Sequence, residues 1–206
     1  RDSYKTDQEN AVQDVVNGAI RRSKTAGDPF QGVIDQASVA VPELSEVGQS
    51  QSNSRAERSV QTVEDMVRTF KSALEARIGS KILSSSSLTY WMVEHACNTV
   101  NKHHVGPEGK TPYHALHGKD PRERLAEFGE RVLWFVPKRL RAKLDLRWRL
   151  GVYLGQANVS NEAFIGLPDG NVAKSRSIVR VVPSGRWDKK SVLDIKGTPG
   201  KLTFSR

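Results

Sequence analysis

Two carboxylates stand where a chain could use them for chemistry. Glu57 falls in the first turn of a long helical pattern, directly after the polar run Gln49-Ser50-Gln51-Ser52-Asn53-Ser54-Arg55-Ala56. The positive end of a helix dipole favours an ionised carboxylate there, the form that binds a metal ion. Asp7 follows Tyr4-Lys5-Thr6, which reads as the end of a short strand, and precedes a second helical pattern. Each has an ordinary explanation beside the chemical one. First-turn glutamates are common, and an aspartate ahead of a helix is a usual N-cap. A third group offers binding rather than catalysis. Lys138, Arg139, Arg141, Lys143, Arg147 and Arg149 crowd one stretch in which Asp145 is the only acid, and Trp134, Phe135 and Trp148 interleave it. Positive charge beside aromatic rings suits a nucleic-acid backbone and its bases. The same rings would also serve as sheet core.

The elements that must position these residues follow from periodicity. Ala56, Val60, Val63, Val67, Phe70, Leu74 and Ile78 recur at three-and-four spacing. They predict a helix of about six turns, started by Asn53 or Ser54 and ended by Gly79. Residues 9–22 predict another helix, with Ala11, Val12, Val15, Val16, Ala19 and Ile20 buried. A turn over 25–30 leads to an alternating strand over 33–41, closed by Pro42, and then to a mobile polar loop over 43–53. Ser84 to Ser87 is a polar link and helix cap. Tyr90, Val93, Cys97 and Val100 form the next stripe, with Cys97 in the core. Thr111, Pro112 and Gly118 bracket a short helix. After Phe128-Gly129 the pattern changes to strands over 130–136, 149–154, 163–167 and 172–182, with a Pro168-Asp169-Gly170 turn between the last two. Strands at this spacing predict a small β-barrel. Residues 186–206 read as a loose tail. The fold class is α+β.

Composition limits the function further. The net charge of +9 is uneven: residues 1–100 hold 11 Lys+Arg against 13 Asp+Glu, and residues 101–206 hold 21 against 10. A basic half beside a near-neutral half suggests a polyanion partner. No apolar run reaches membrane-spanning length. With Cys97 the only cysteine, no internal disulfide can form, which allows an intracellular setting. His95, His103, His104, His114 and His117 do not form a paired zinc pattern with it. A start at Arg1 reads as a piece of a longer product.

The run Gln51-Ser52-Asn53 followed by Ala56-Glu57-Arg58 resembles the end of the catalytic core of retroviral and retrotransposon integrases, the copia-type elements above all. Thr6-Asp7 is similar to the Thr/Ser-Asp pair that carries their second catalytic aspartate. Lys110-Thr111-Pro112-Tyr113 with Ala115, Phe128-Gly129, and Gly151-Val152-Tyr153-Leu154-Gly155 match later copia-type motifs in the same order. The resemblance implies the second half of an RNase H-like core over 1–79, a helical linker over 80–127, and a basic Src-homology-3-like barrel over 128–185. It implies that Asp7 and Glu57 are catalytic and hold magnesium or manganese. Gln51 and Asn53 would position DNA, and Arg58, Gln61 and Arg68 would meet phosphates from the polar side of the helix. DNA is the implied partner, self-association into an oligomer is expected, and the site of action would be nuclear. Ser50 and Ser54 depart from the family's proline and glycine. The first catalytic aspartate has no match in this chain. A non-catalytic nucleic-acid-binding or interaction module derived from such an element is the rival expectation.

Overall fold

A computed structural model describes residues 3–6, 41–44, 54–121, 126–138, 141–157 and 160–200, with the backbone alone at 3–6, 41–44 and 55. The chain divides into two compact units, Arg1–Gln61 and Thr62–Arg206. In the first unit, β1 (Ser3–Thr6) pairs with β2 (Val41–Leu44) in parallel, with Ser3 opposite Val41 and Thr6 opposite Leu44. The sequence places a strand end at Pro42, yet the strand runs through it to Leu44. Both strands of a two-stranded sheet are edges, so a residue lacking an N–H can turn that side away from its neighbour. The predicted helix over 9–22, the turn over 25–30 and the strand residues before Val41 lie outside the described residues.

Helix α1 (Ser54–Ile78) forms as its spacing predicts. Gly79 follows it, and the Ser80 N–H bonds back to the Glu75 carbonyl at 3.3 Å, which closes the last turn. Burial rises along the apolar stripe, from Val60 at 58% exposed to Leu74 at 2%. Only the C-terminal turns are therefore core. Next, the Glu75 carboxylate accepts the Ile82 N–H and a Lys81 ammonium, each at 2.8 Å. The Ile82 bond and then the Lys81 bond hold its pKa below the usual range. Helix α2 (Ser87–His103) starts on Ser86, whose hydroxyl accepts the Leu88 N–H. Its buried side is Leu88, Trp91, Met92 and Ala96, not the predicted Tyr90 and Val93, which are exposed. Trp91 brings the larger apolar surface and turns the helix toward itself. Helix α3 (Pro112–His117) has Thr111 as its cap and Gly118 past its end, as predicted.

The strands that follow are β3 (Arg131–Phe135), β4 (Trp148–Gln156), β5 (Ala163–Gly166), β6 (Val172–Ser175) and β7 (Ile178–Arg180). They form one antiparallel sheet in the order β6-β5-β4-β3-β7. The single strand expected over 172–182 is thus two. The Ser175 hydroxyl lies 3.2 Å from the Phe135 carbonyl and 3.0 Å from that of Ser177, and it accepts the Ser177 N–H. This bend sends β6 and β7 to opposite edges of the sheet, although only Arg176 and Ser177 part them. The sheet must curl for both pairings to hold.

Curling leaves β4 covered on two sides. Val152 and Leu154 pack with Leu74, Leu88, Trp91 and Phe164, while Tyr153 packs with Val132, Trp134 and Ile165. Two glycines permit this. A Cβ on Gly151 would sit 2.3 Å from an Ile165 methyl, and one on Gly129, whose φ is +81°, would sit 2.6 Å from Leu74. The Phe-Gly and Gly-x-Tyr-Leu-Gly patterns therefore have a packing reason here.

Two expected segments prove integral. Helix α2, placed in a linker over 80–127, shares the core of the sheet. Residues 186–200, read as part of a loose tail, are held in place. Helix α4 (Lys189–Leu193) buries Val192, Ile195 follows it into the core, and the Trp91 indole N–H bonds the Gly197 carbonyl at 2.7 Å. The unit boundary also falls inside α1 rather than at Gly79.

Glu130, just before β3, has no solvent exposure. Arg180 reaches it with Nε at 2.8 Å and Nη2 at 2.7 Å, Arg186 stands at 3.3 Å, and the Glu127 N–H bonds it at 3.0 Å. The Glu130 bonds raise the Arg180 pKa above its ordinary value. Removing one partner from a buried pair leaves an uncompensated charge. Because Arg186 and the Glu127 N–H still serve Glu130, Arg180→Met is expected to lower unfolding stability by about 2 kcal/mol, read from chemical denaturation; a loss within error of zero would show the pair to be dispensable. Asp188 supplies a pH test. The Ser191 hydroxyl and then the Ser191 N–H hold its carboxyl below its usual range. A depressed carboxyl stabilises the fold above its unfolded pKa of about 3.9 and loses that effect as pH falls through the folded value. Asp188→Ala should cost about 1 kcal/mol at pH 7, with the gap to the parent closing below pH ~4.

Candidate nucleic-acid interface

The two proposed metal carboxylates fare differently in the structure. β1 ends at Thr6, so Asp7 follows directly on a strand end, but Asp7 itself lies outside the described residues, as do Gln51 and Asn53. Glu57 is exposed in the first turn of α1, with Arg58 and Gln61 exposed beside it. Arg68 is committed on its own helix, bonding Glu64 at 2.9 Å and Asp65 at 2.5 Å. Those ion pairs compete with any phosphate for its guanidinium. Among the described residues, no three His, Cys, Asp or Glu side chains gather closely enough to hold a metal ion. No described helix is long and apolar enough to cross a membrane.

The basic stretch is the connection between β3 and β4. Its base is pinched by the Val136 N–H to the Arg147 carbonyl at 2.9 Å. Arg141 donates Nε to the Val136 carbonyl and lies 5.9 Å from the centre of the Phe135 ring, so it braces the connection. Asp145 is used internally. It accepts the Ala142 N–H at 3.0 Å and pairs with Arg149 at 3.4 Å. The single acid therefore closes a turn and engages Arg149, while Lys138, Lys143 and Arg147 extend exposed around it. Arg139 lies outside the described residues.

Register then divides the aromatic residues. Leu133 stands opposite both Leu150 and Val179, and Phe135 opposite Trp148. These five share one face, because alternate residues of a strand point the same way. Trp134 points to the other face and is buried with Val132 and Ile165. On the first face Trp148 is 37% exposed, Leu150 41% and Val179 47%. Of the three aromatics that interleave the charge, Trp134 is core, while Phe135 and Trp148 line a surface. A sequence pattern alone misses that division, since it depends on strand register. β4 residues before Val152 run past the end of β5. There a cleft of about 680 Å³ opens between Leu146, Trp148, Leu150 and the Pro168-Asp169 turn.

A separate cavity of about 280 Å³ lies among Phe70, His95, Asn98, Phe128 and Trp187. At its rim Arg77 lies over the Trp187 ring at 4.5 Å and pairs with Glu127 at 2.6 Å. It contains none of the residues that the sequence singles out for chemistry. No protein-family model matches this chain, and no curated protein is detectably similar to it.

Proposed function

We propose that this chain is a nucleic-acid-binding part of an integrase-type protein, and that the β3–β4 connection holds DNA by its phosphates during integration. The observation that carries this reading is the exposed trio Lys138, Lys143 and Arg147 on a segment whose only acid is engaged within it. The curled antiparallel sheet supports a Src-homology-3-like barrel. The parallel β1–β2 pair followed by α1 supports the second half of an RNase H-like core, because parallel neighbours require a crossover between them. The proposed setting is nuclear, with DNA as partner and self-association into an integrase oligomer.

In this reading Asp7 and Glu57 are the metal carboxylates. The exposed first-turn position of Glu57 fits a hard oxygen donor for magnesium or manganese. Such ions, when bound, activate an attacking oxygen and stabilise a leaving one. Gln51, Asn53, Arg58 and Gln61 would lie along the DNA, while Arg68 contributes less because of its two acids. A second reading, a non-catalytic binding module, is favoured by one observation: Ser50 and Ser54 stand where the family has proline and glycine in the loop that leads to Glu57.

Two outcomes are expected. Each phosphate contact on duplex DNA adds roughly −0.9 to the log-log salt slope. Changing Lys138, Lys143 and Arg147 together to alanine should flatten that slope by about 2 to 3 units. Binding of a random duplex at several salt concentrations reads this directly, and coincident slopes would remove the connection from the interface. Second, the 206-residue chain by itself should bind DNA without joining it in magnesium or manganese. Efficient joining of a donor strand would show its carboxylates to be sufficient.

A further inference from the structure

We propose that the outward face of β3, β4 and β7 takes the unpaired bases of a single-stranded nucleic acid, with the cations of the β3–β4 connection on its phosphates. The inference rests on the nucleic-acid reading above and narrows it from any polynucleotide to one whose bases are open. Its floor is the row Val179, Leu133 and Leu150, followed by the pair Phe135 and Trp148. Phe135 and Trp148 meet at 5.5 Å with their planes 73° apart. An edge-on pair uses the face of only one ring, so aromatic surface is left for another partner. The adjoining cleft of about 680 Å³ falls within the roughly 300–1,000 Å³ usual for ligand sites.

Charge selects the occupant. Arg141 lies over the Phe135 ring at this floor, Arg149 lines the adjoining cleft, and Lys138, Lys143 and Arg147 are exposed on the same connection, against two acids, Asp145 within the connection and Asp169 across the cleft. A second copy pairing through the same face would bring two basic rims together, which like-charge repulsion opposes. A duplex would satisfy the rim but not the floor, because its base faces are already stacked on one another. A single strand satisfies both, with phosphates for the cations and a base π-face for Trp148, since Arg141 already lies over Phe135. Such stacking tolerates any base, which agrees with the lack of a base-reading motif.

Fluorescence anisotropy of the full 206-residue chain tests this, using labelled oligo-dT and a hairpin duplex with the same number of phosphates at one salt concentration. The parent should bind oligo-dT more tightly than the hairpin. Trp148→Ala should weaken oligo-dT by about 10-fold and the hairpin by less than about 2-fold. Trp148→Phe, which keeps a ring, should retain most of the oligo-dT affinity and guards against misfolding as the cause. Equal parent affinities, an equal loss on both ligands, or no loss in Trp148→Ala would overturn the proposal while leaving the duplex reading intact. A parent dimer that Trp148→Ala dissociates without nucleic acid would also overturn it, making this face a contact between copies. If the parent binds neither ligand, both readings fall.

Discussion

Glu130 sits out of solvent just before β3, and two arginines come to it, Arg180 from the end of β7 and Arg186 from just after the turn that follows. A lone buried carboxylate is costly, so the fold must bring Arg180 and Arg186 to that point and keep them there. Arg180 ends β7, which can pair with β3 only because the chain bends at Arg176-Ser177. Arg186 follows the turn Pro183–Gly185, and its carbonyl accepts the Arg131 N–H at 2.7 Å. Edge strand, closing turn and first strand are thus tied at one charge. Glu127 extends the chain of ions, pairing with Arg180 at 3.5 Å and with Arg77 of α1 at 2.6 Å. The exposed pairs in this chain add little alone, and the buried carboxylate is where the geometry becomes strict.

That constraint also fixes the surface. With β7 held against β3, Val179 is brought into register with Leu133 and Leu150, and Phe135 with Trp148. Apolar ground of this kind exists only while both pairings hold. The connection beyond it is ordered separately, by the Asp145 turn and by Arg141 lying against Phe135. Bracing and outward exposure are therefore divided among cations that look alike in the sequence. Arg141 and Arg149 have partners within the connection, while Lys138, Lys143 and Arg147 project from it.

Much of the helical part was legible because its signals are local. The stripe and Gly79 define α1, and Thr111, Pro112 and Gly118 define α3. What could not be read depends on distant partners. Trp91 rather than Tyr90 faces inward because a sheet core and the Gly197 carbonyl receive it. Residues 186–200 look like a tail, with their Gly and Pro, until Val192 and Ile195 find Leu154 and Phe164. The break in the predicted strand over 172–182 is set by a serine hydroxyl that also reaches Phe135, forty residues back. Of the candidate site, the charge was plain and the facing of its rings was not. Asp7 and Glu57 were suggested by motif, and their mutual geometry depends on residues outside those described.

An exposed apolar sheet face usually carries a cost, because an edge such as β7 can recruit other strands. Here the surrounding charge offers a physical reason why the face can persist. Like-charged rims oppose contact between copies at a distance, whereas a polyanion is drawn to the same rim. The hydrophobic contribution then acts only at contact, after the charges have selected the partner. Trp148 and Leu150 would add little to long-range attraction, and Lys138, Lys143 and Arg147 little to discrimination between bases. If the proposed single-strand reading holds, such a surface would bind by charge and grip by stacking, and salt would weaken the first step far more than the second.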